Sequence, residues 1–254
     1  MRFHKLSIPA KALSGLDNSY RQFFFSSSMA FQEINLALRM NAMAMASFDQ
    51  ARQLDSYELI TVAHSNMAML DRSLMAKVSE YRELINDFLK TPVPKNESEK
   101  IAAFRGASRE AIKVWGQDKT FRLMKWYRNN ASAHYGYSEK GIGALTQNIG
   151  AEDDERVFEI LLHEKLGNTH YTMVEQLLSD KLTEHGRQAL DQVSENFEAT
   201  KRVAFGVMEL HHLFVIALIE LIVVDPAEII EVDVPHRLLW RTGTKVPILM
   251  STDE

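Results

Sequence analysis

An arginine and a histidine six positions apart, with an asparagine directly after the arginine, are the residues of this chain best suited to chemistry. They are Arg128, Asn129 and His134. Arginine offers a planar, permanently charged guanidinium group that binds phosphate oxygens in pairs. Histidine is the side chain whose unperturbed pKa suits proton transfer near neutral pH. Together these residue types predict a site that handles phosphate.

The stretch from 119 to 137 is basic and contains no acidic residue. Lys119, Arg122 and Lys125 precede Arg128 at intervals of three residues. A solvated helix face has the same pattern, but the lack of counter-charges favours contact with phosphate. The formal net charge of −5 argues against a protein that coats nucleic acid, because that function needs an excess of cations. A local basic pocket that contacts a few phosphates stays compatible with this charge.

The composition excludes several other kinds of site. The chain has 254 residues and no cysteine, so disulfides, thiolate metal sites and thiol nucleophiles are excluded. Residues 1–10 lack an apolar run long enough for a signal peptide, and the apolar run 213–224 is too short to span a bilayer. We therefore expect a cytoplasmic protein without membrane contacts. The sequence contains no glycine-rich phosphate loop and no nucleophile elbow.

The spacing within the motif constrains how its residues meet. Six residues of uninterrupted helix turn through about 600°, which points Arg128 and His134 about 120° apart. One continuous helix therefore does not aim both side chains at one phosphate. Asn129, Asn130 and Ser132 favour a break, with Asn130 as the N-cap of a helix that carries His134. The alternatives are that two copies face each other across a symmetric interface, or that Arg128 is a surface residue and His134 a structural one.

Helical periodicity predicts the elements that position these residues. Seven-residue spacings of apolar residues predict three long helices: one that begins after residues 17–19, one over about 56–90 and one over about 186–224. Shorter helices are predicted over 98–115, 119–127, 152–165 and 169–183, and a strand near 229–234. The prediction is an all-α fold, an antiparallel helical bundle over 1–225 with an extended C-terminal tail over 226–254.

A metal site in the helical core is a second candidate. Glu209 and His212 form one Glu-x-x-His step, whereas dimetal bundles use two such steps with two further glutamates. Glu159 and His163 could supplement it. Because only one step is present, the preferred interpretation is that His211 is a hydrogen-bonded polar residue on an apolar seam. No metal ligand and no cofactor are predicted.

The string from Tyr127 to Tyr135, Tyr-Arg-Asn-Asn-Ala-Ser-Ala-His-Tyr, resembles the signature of the HEPN superfamily of helical domains. That signature is an arginine, a polar residue after it and a histidine a few residues further on, often followed by an aromatic residue. The close match covers about ten residues of a chain that is itself predicted to be helical. The chain is longer than the minimal family domain, so residues 141–179 look like an insertion or an added helical pair.

The resemblance implies a metal-independent endoribonuclease that leaves a 2′,3′-cyclic phosphate. His134 would act as the general acid or base on a ribose 2′-hydroxyl, and Arg128 would stabilise charge on the scissile phosphate. Asn129 would orient the phosphate or the histidine, and Tyr127 and Tyr135 would stack bases. The resemblance also implies a homodimer with the site at its interface, RNA as substrate, and a toxin or phage-defence role with a cognate antitoxin or regulatory protein. The alternative is a non-catalytic helical module that binds a nucleotide, RNA or a protein.

Overall fold

The computed structural model describes residues 2–5, 8–95, 97–117, 124, 160–161, 170–171, 191–222 and 228–231. Helices account for most of these residues, which confirms the all-α prediction. In chain order the elements are β1 (Arg2–Lys5), α1 (Ala10–Ser14), α2 (Asn18–Gln53), α3 (Tyr57–Lys90), α4 (Glu99–Gln117), β2 (Ile160–Leu161), β3 (His170–Tyr171), α5 (Asp191–Ile219) and β4 (Glu228–Glu231).

Of the two longest helices, α2 begins where the local sequence predicts, and α3 both begins and ends where it predicts. The carboxylate of Asp17 accepts from the Ser19 backbone N–H at 2.8 Å, so Asp17 is the N-cap of α2. The hydroxyl of Ser56 caps α3 in the same way. Between the helices, Asp55 has a φ of 51°, and this left-handed conformation lets the chain reverse tightly. α3 ends at Lys90 because prolines follow at positions 92 and 94.

The helices α2 and α3 form an antiparallel hairpin. The rings of Phe23 and Phe88 lie 4.5 Å apart between centroids at one end, and those of Phe48 and His64 lie 6.0 Å apart near the other. Residues later in α2 therefore meet residues earlier in α3. The buried residues between α2 and α3 form an elongated part of the hydrophobic core.

Helices α4 and α5 pack against one end of the hairpin. Phe214 of α5 contacts the rings of Phe23, Phe88 and Phe104, which joins all four long helices at one point. Lys100 near the start of α4 pairs with Glu220 just past the end of α5, so these two helices run antiparallel. The buried core residues contributed by α4 and α5 are Ile101, Phe104, Trp115, Val203, Ala204, Val207, Leu210, Phe214, Ala217 and Leu218.

Seven-residue spacings place two apolar stripes along α5, and Thr200, Ala204, Val207, Phe214 and Leu218 of these stripes are buried, whereas Leu221, just past the end of the helix, is exposed. By length and composition the 22-residue segment Glu198–Ile219, with a mean hydropathy of 1.6, could also cross a membrane. The core helix of a globular protein has the same composition, and this segment supplies much of the core. The predicted cytoplasmic location stays a prediction.

Two short antiparallel ladders complete the described structure. β1 pairs with β4, from Arg2 opposite Glu231 to Lys5 opposite Glu228, so the N-terminal strand pairs with the predicted tail. β2 pairs with β3, with Ile160 opposite Tyr171. The predicted helices over 152–165 and 169–183 are therefore wrong at these positions. Gly167 and Asn168 lie between the two strands, and such residues favour chain reversal over a helix. The division at residues 225 and 226 stays a prediction.

Candidate functional site

The motif on which the functional prediction rests lies outside the described residues. The structure therefore gives no distances for the predicted catalytic and RNA-binding side chains. These are Arg128, Asn129 and His134, the stacking candidates Tyr127 and Tyr135, and the phosphate-binding candidates Lys119, Arg122 and Lys125. Whether they converge on one cleft stays a prediction.

The elements that lead to the motif are described on its N-terminal side. Trp115, near the end of α4, is buried, and its ring lies 3.5 Å from the position that a Cβ atom would take at Gly206 of α5. This is ordinary van der Waals distance, so the indole packs directly against this turn of α5. Met124 is fully buried in the same core. The chain is thus fixed to the helical core four residues before Arg128.

The described residues do not support the metal site in the core. Glu209 and His212, the two residues of the Glu-x-x-His step, are both exposed on the outer side of α5. Ligands of a dimetal bundle point into the core, so this placement contradicts the metal interpretation. Within the described part of the chain, no group of three or more His, Asp or Glu side chains could hold a metal ion. Glu159 and His163 lie outside that part.

His211 lies in the core where α5 crosses the α2–α3 hairpin. It is 5% exposed, and its ring stacks on Phe31 with 4.7 Å between centroids. The ring of Tyr81 meets it edge-on at 6.3 Å. Burial, and secondly the neighbouring His212, lower the pKa of His211 to about 4, so the imidazole is neutral near pH 7.

The expected hydrogen bond of His211 does not form among the described residues. Its Nδ1 atom is buried without a partner there, and the hydroxyl of Tyr81 has only a loose contact with Ser27 that does not meet strict hydrogen-bond geometry. Burial raises the pKa of Tyr81, and the contact with Ser27 lowers it in part. A phenol and an imidazole that both stay neutral, deep between packed helices, have the character of core residues and do not suit acid–base catalysis at neutral pH.

A buried ion pair fixes the loop between α3 and α4. The side chains of Arg105 and Glu97 are 1% and 8% exposed, and Nε of the arginine lies 2.7 Å from Oε1 of the glutamate. Arg105 also donates to the backbone carbonyl of Phe88 at 3.1 Å and to the Thr91 hydroxyl at 3.2 Å. Its guanidinium carbon stands 4.3 Å from the centroid of the Phe88 ring.

Glu97 has a second partner in this cluster. The hydroxyl of Tyr20 on α2 donates to Glu97 at 2.9 Å. Burial, followed by this bond and the charge of Glu97, raises the pKa of Tyr20 to about 12. The arginine is therefore fully engaged with protein groups, so it positions α2, α3 and α4 and is not available to bind a ligand. Sequence reasoning did not single out Arg105. The available signal was that it is the one cation of the string Ile101-Ala-Ala-Phe-Arg105, on the apolar side of α4.

A second buried polar pair lies further along the α2–α3 hairpin. Asn41 of α2 is fully buried, and Asp71 of α3 is 8% exposed. Burial raises the pKa of Asp71 to about 7, whereas Arg72 and a side-chain contact with Asn41 lower it in part. That contact is loose, because neither amide atom of Asn41 meets strict hydrogen-bond geometry.

Helix α5 packs against the same hairpin, where His211 contacts Phe31 of α2. Thr200, eleven residues earlier on α5, is fully buried. The sequence carried a signal for Asn41, which continues the seven-residue spacing between Ile34 and Phe48.

Comparison with known proteins assigns no family: no protein-family model matches the chain, and neither does any curated protein or solved structure.

Proposed function

We propose that this protein is a metal-independent endoribonuclease of the HEPN type. The observation that carries the proposal is the string Arg128-Asn129 with His134 six residues after the arginine. It combines a phosphate-binding cation and a proton-transfer group in a segment without acidic residues. The described part of the fold is all-α, as the proposal requires. The burial of Met124 supports a fixed starting point for the segment that carries the site.

In the proposed reaction a ribose 2′-hydroxyl attacks the adjacent phosphorus. His134 takes the proton from the hydroxyl or gives one to the leaving 5′-oxygen. Arg128 stabilises the negative charge that develops on the phosphoryl oxygens. The products are a 2′,3′-cyclic phosphate and a free 5′-hydroxyl, and no metal ion takes part.

The test measures cleavage of labelled single-stranded and structured RNA by the purified protein in the presence of a chelator. We expect His134→Ala and Arg128→Ala to lower the cleavage rate roughly a hundredfold or more, as general acid–base and charge-stabilising groups do. The matched controls are His212→Ala and Arg109→Ala, which replace exposed residues on α5 and α4. A substrate with a 2′-deoxy nucleotide at the scissile position should resist cleavage.

Full activity in both motif variants would refute these roles. Cleavage that depends on added metal ions would refute the reaction type. If the wild-type protein binds RNA or a nucleotide without turnover, and Arg128→Ala abolishes that binding, the non-catalytic module becomes the function.

The proposal includes a homodimer with one composite site. Light scattering of the purified protein at assay concentrations should give twice the monomer mass. Cleavage by a protein that stays monomeric under those conditions would contradict the shared site while leaving the chemistry of His134 in place.

A further inference from the structure

The outer part of the α2–α3 hairpin, residues 41–71, contains a buried acid and a buried amide with incomplete bonding. Within the described residues, Oδ1 of Asp71 and both amide atoms of Asn41 lack a hydrogen-bond partner. The two side chains nevertheless lie close enough for Asn41 to act on the carboxyl group. Buried polar groups are rarely left unpaired, so this arrangement needs an explanation. It is independent of the proposed ribonuclease site.

The charged groups around the pair do not neutralise a carboxylate at this place. On α3, Arg72 offsets the effect of burial only in part, and His64, seven residues before Asp71, is a further titratable group, with its ring 6.0 Å from that of Phe48. On α2, within one turn of the amide, the sequence contains one charged residue, the exposed Arg39. On α5, Glu198 and Lys201, which flank the buried Thr200, pair with each other at 3.2 Å. An ionised Asp71 is therefore poorly compensated by the described residues.

A bound proton resolves both problems. A neutral carboxylic acid and a primary amide are complementary, because each offers one donor and one acceptor to the other. In such a pair the acid O–H would donate to the carbonyl oxygen of Asn41, and the amide N–H would donate to the carbonyl oxygen of Asp71. The two side chains do not meet strict hydrogen-bond geometry as they lie, so they would have to turn slightly towards each other. Only the protonated acid can make both bonds, since a carboxylate accepts hydrogen bonds and donates none.

We propose that Asp71 and Asn41 form a proton-operated latch that holds the outer part of the α2–α3 hairpin closed. With the proton bound, the two hydrogen bonds close the interface between the helices. When the proton passes to solvent, one hydrogen bond is lost and a buried carboxylate remains. The outer part of the hairpin then opens to hydrate that charge, while the aromatic part of the core stays packed.

In the outer part of the hairpin, a small change in free energy is enough to shift the equilibrium between the closed and the open state. Its buried residues are mostly small or polar, so each buries little apolar surface. They are Asn41, Ala44, Ser47, Ala51, Val62, Ala63, Met67 and Asp71. The inner part instead buries large side chains, namely Tyr20, Phe23, Ile34, Leu74, Tyr81, Ile85 and Phe88.

The sign of the pH effect follows from linkage. The pKa of Asp71 is about 7 in the closed hairpin, and an aspartate in the opened segment returns towards its ordinary value of 3.8. The closed state thus holds its proton more tightly. The stability that the bound proton gives to the closed state is fully present below about pH 4 and is lost as the pH rises towards 7. The opening equilibrium should increase about tenfold between pH 6 and pH 8.

Amide hydrogen exchange of the full-length protein tests the latch. After correction for the intrinsic pH dependence of exchange, protection of residues 41–48 and 62–71 should fall about tenfold from pH 6 to pH 8. Asp71→Asn keeps the shape of the neutral acid and should abolish this dependence. Asp87→Asn, which changes an exposed aspartate on the same helix, is the matched control and should retain it.

Equal pH dependence in Asp71→Asn and the wild type would overturn the proposal. A direct titration keeps it testable if the variant does not fold. The carboxyl carbon of Asp71 in the wild-type protein, followed by carbon NMR, should titrate at least two pH units above the ordinary aspartate pKa of 3.8. Titration of Asp71 near that ordinary value would equally overturn the proposal.

Discussion

Replacing Arg105 by methionine tests whether the buried ion pair holds the α3–α4 loop to the core. Methionine keeps the length of the side chain and removes its charge and donors. The substitution mainly leaves Glu97 without its charged partner. The carbonyl of Phe88 stays satisfied, because it still accepts hydrogen bonds from the backbone N–H and the hydroxyl of Thr91. Tyr20 also continues to donate to the carboxylate.

The magnitude follows from what is left unpaired. Removing one partner of a buried ion pair typically costs about 3–5 kcal/mol. Because Glu97 keeps one hydrogen bond and the Phe88 carbonyl stays satisfied, we expect the lower end, about 3 kcal/mol. Urea denaturation followed by far-UV circular dichroism measures this cost as a change in the free energy of unfolding.

A second substitution separates the uncompensated charge from lost packing. Adding Glu97→Gln to Arg105→Met removes the buried charge but leaves an acceptor for Tyr20, so the double variant should be more stable than the single one. Lys100→Ala is the control, since it breaks an exposed pair with Glu220 and should cost less than about 1 kcal/mol. A loss below about 1 kcal/mol for Arg105→Met, or no recovery in the double variant, would refute the reasoning.

Three further substitutions test other parts of the structure. Asp71→Asn should raise the free energy of unfolding at pH 8 by at most about 4 kcal/mol and change it little at pH 4, because burial holds the folded pKa near 7; thermal melts that show the same effect at both pH values would contradict this. His211→Phe should remove part of the stability loss as the pH falls from 6.5 towards 4; an acid profile identical to that of the wild type would count against the neutral buried imidazole. Asp17→Ala removes the N-cap of α2 and should cost about 1 kcal/mol in urea denaturation, and an unchanged midpoint would show that the cap contributes nothing.

Much of the helical fold follows from the sequence because its signals are local. The end of α3 at Lys90 depends on the nearby prolines, and the start of α2 depends on the Asp17 side chain. The burial of Ala204 and Phe214 follows from the seven-residue spacing along α5. Each of these features is determined by residues within a few turns of one another.

The face of α2 that packs inwards was harder to predict. Seven-residue spacing places Phe24 and Phe31 on one stripe of α2, yet both are only half-buried. The buried positions include Ser27 and Ala30, where small side chains let neighbouring helices approach closely. A pattern of apolar spacing gives most weight to large side chains, so it misses buried positions that small side chains occupy.

Pairings between distant segments were missed for a different reason. The ladder of Ile160 with Tyr171 was predicted as two helices, because two-residue strands are too short to show an alternating pattern. Glu97 lies in the loop just before α4 and its partner Arg105 lies within that helix, and no periodicity connects the two. The geometry of the candidate site around Arg128 and His134 stays a prediction for the experiments above.

The ladder between β1 and β4 closes a loop that contains all five helices of the described residues. Such a contact has a high entropic cost of closure, so it should form after the helices have packed and open before they come apart. Deleting Glu228–Glu231 would then leave the core largely intact but expose the backbone edge of Arg2–Lys5, which could pair with the same strand of another molecule. Loss of this ladder should therefore favour aggregation more than unfolding.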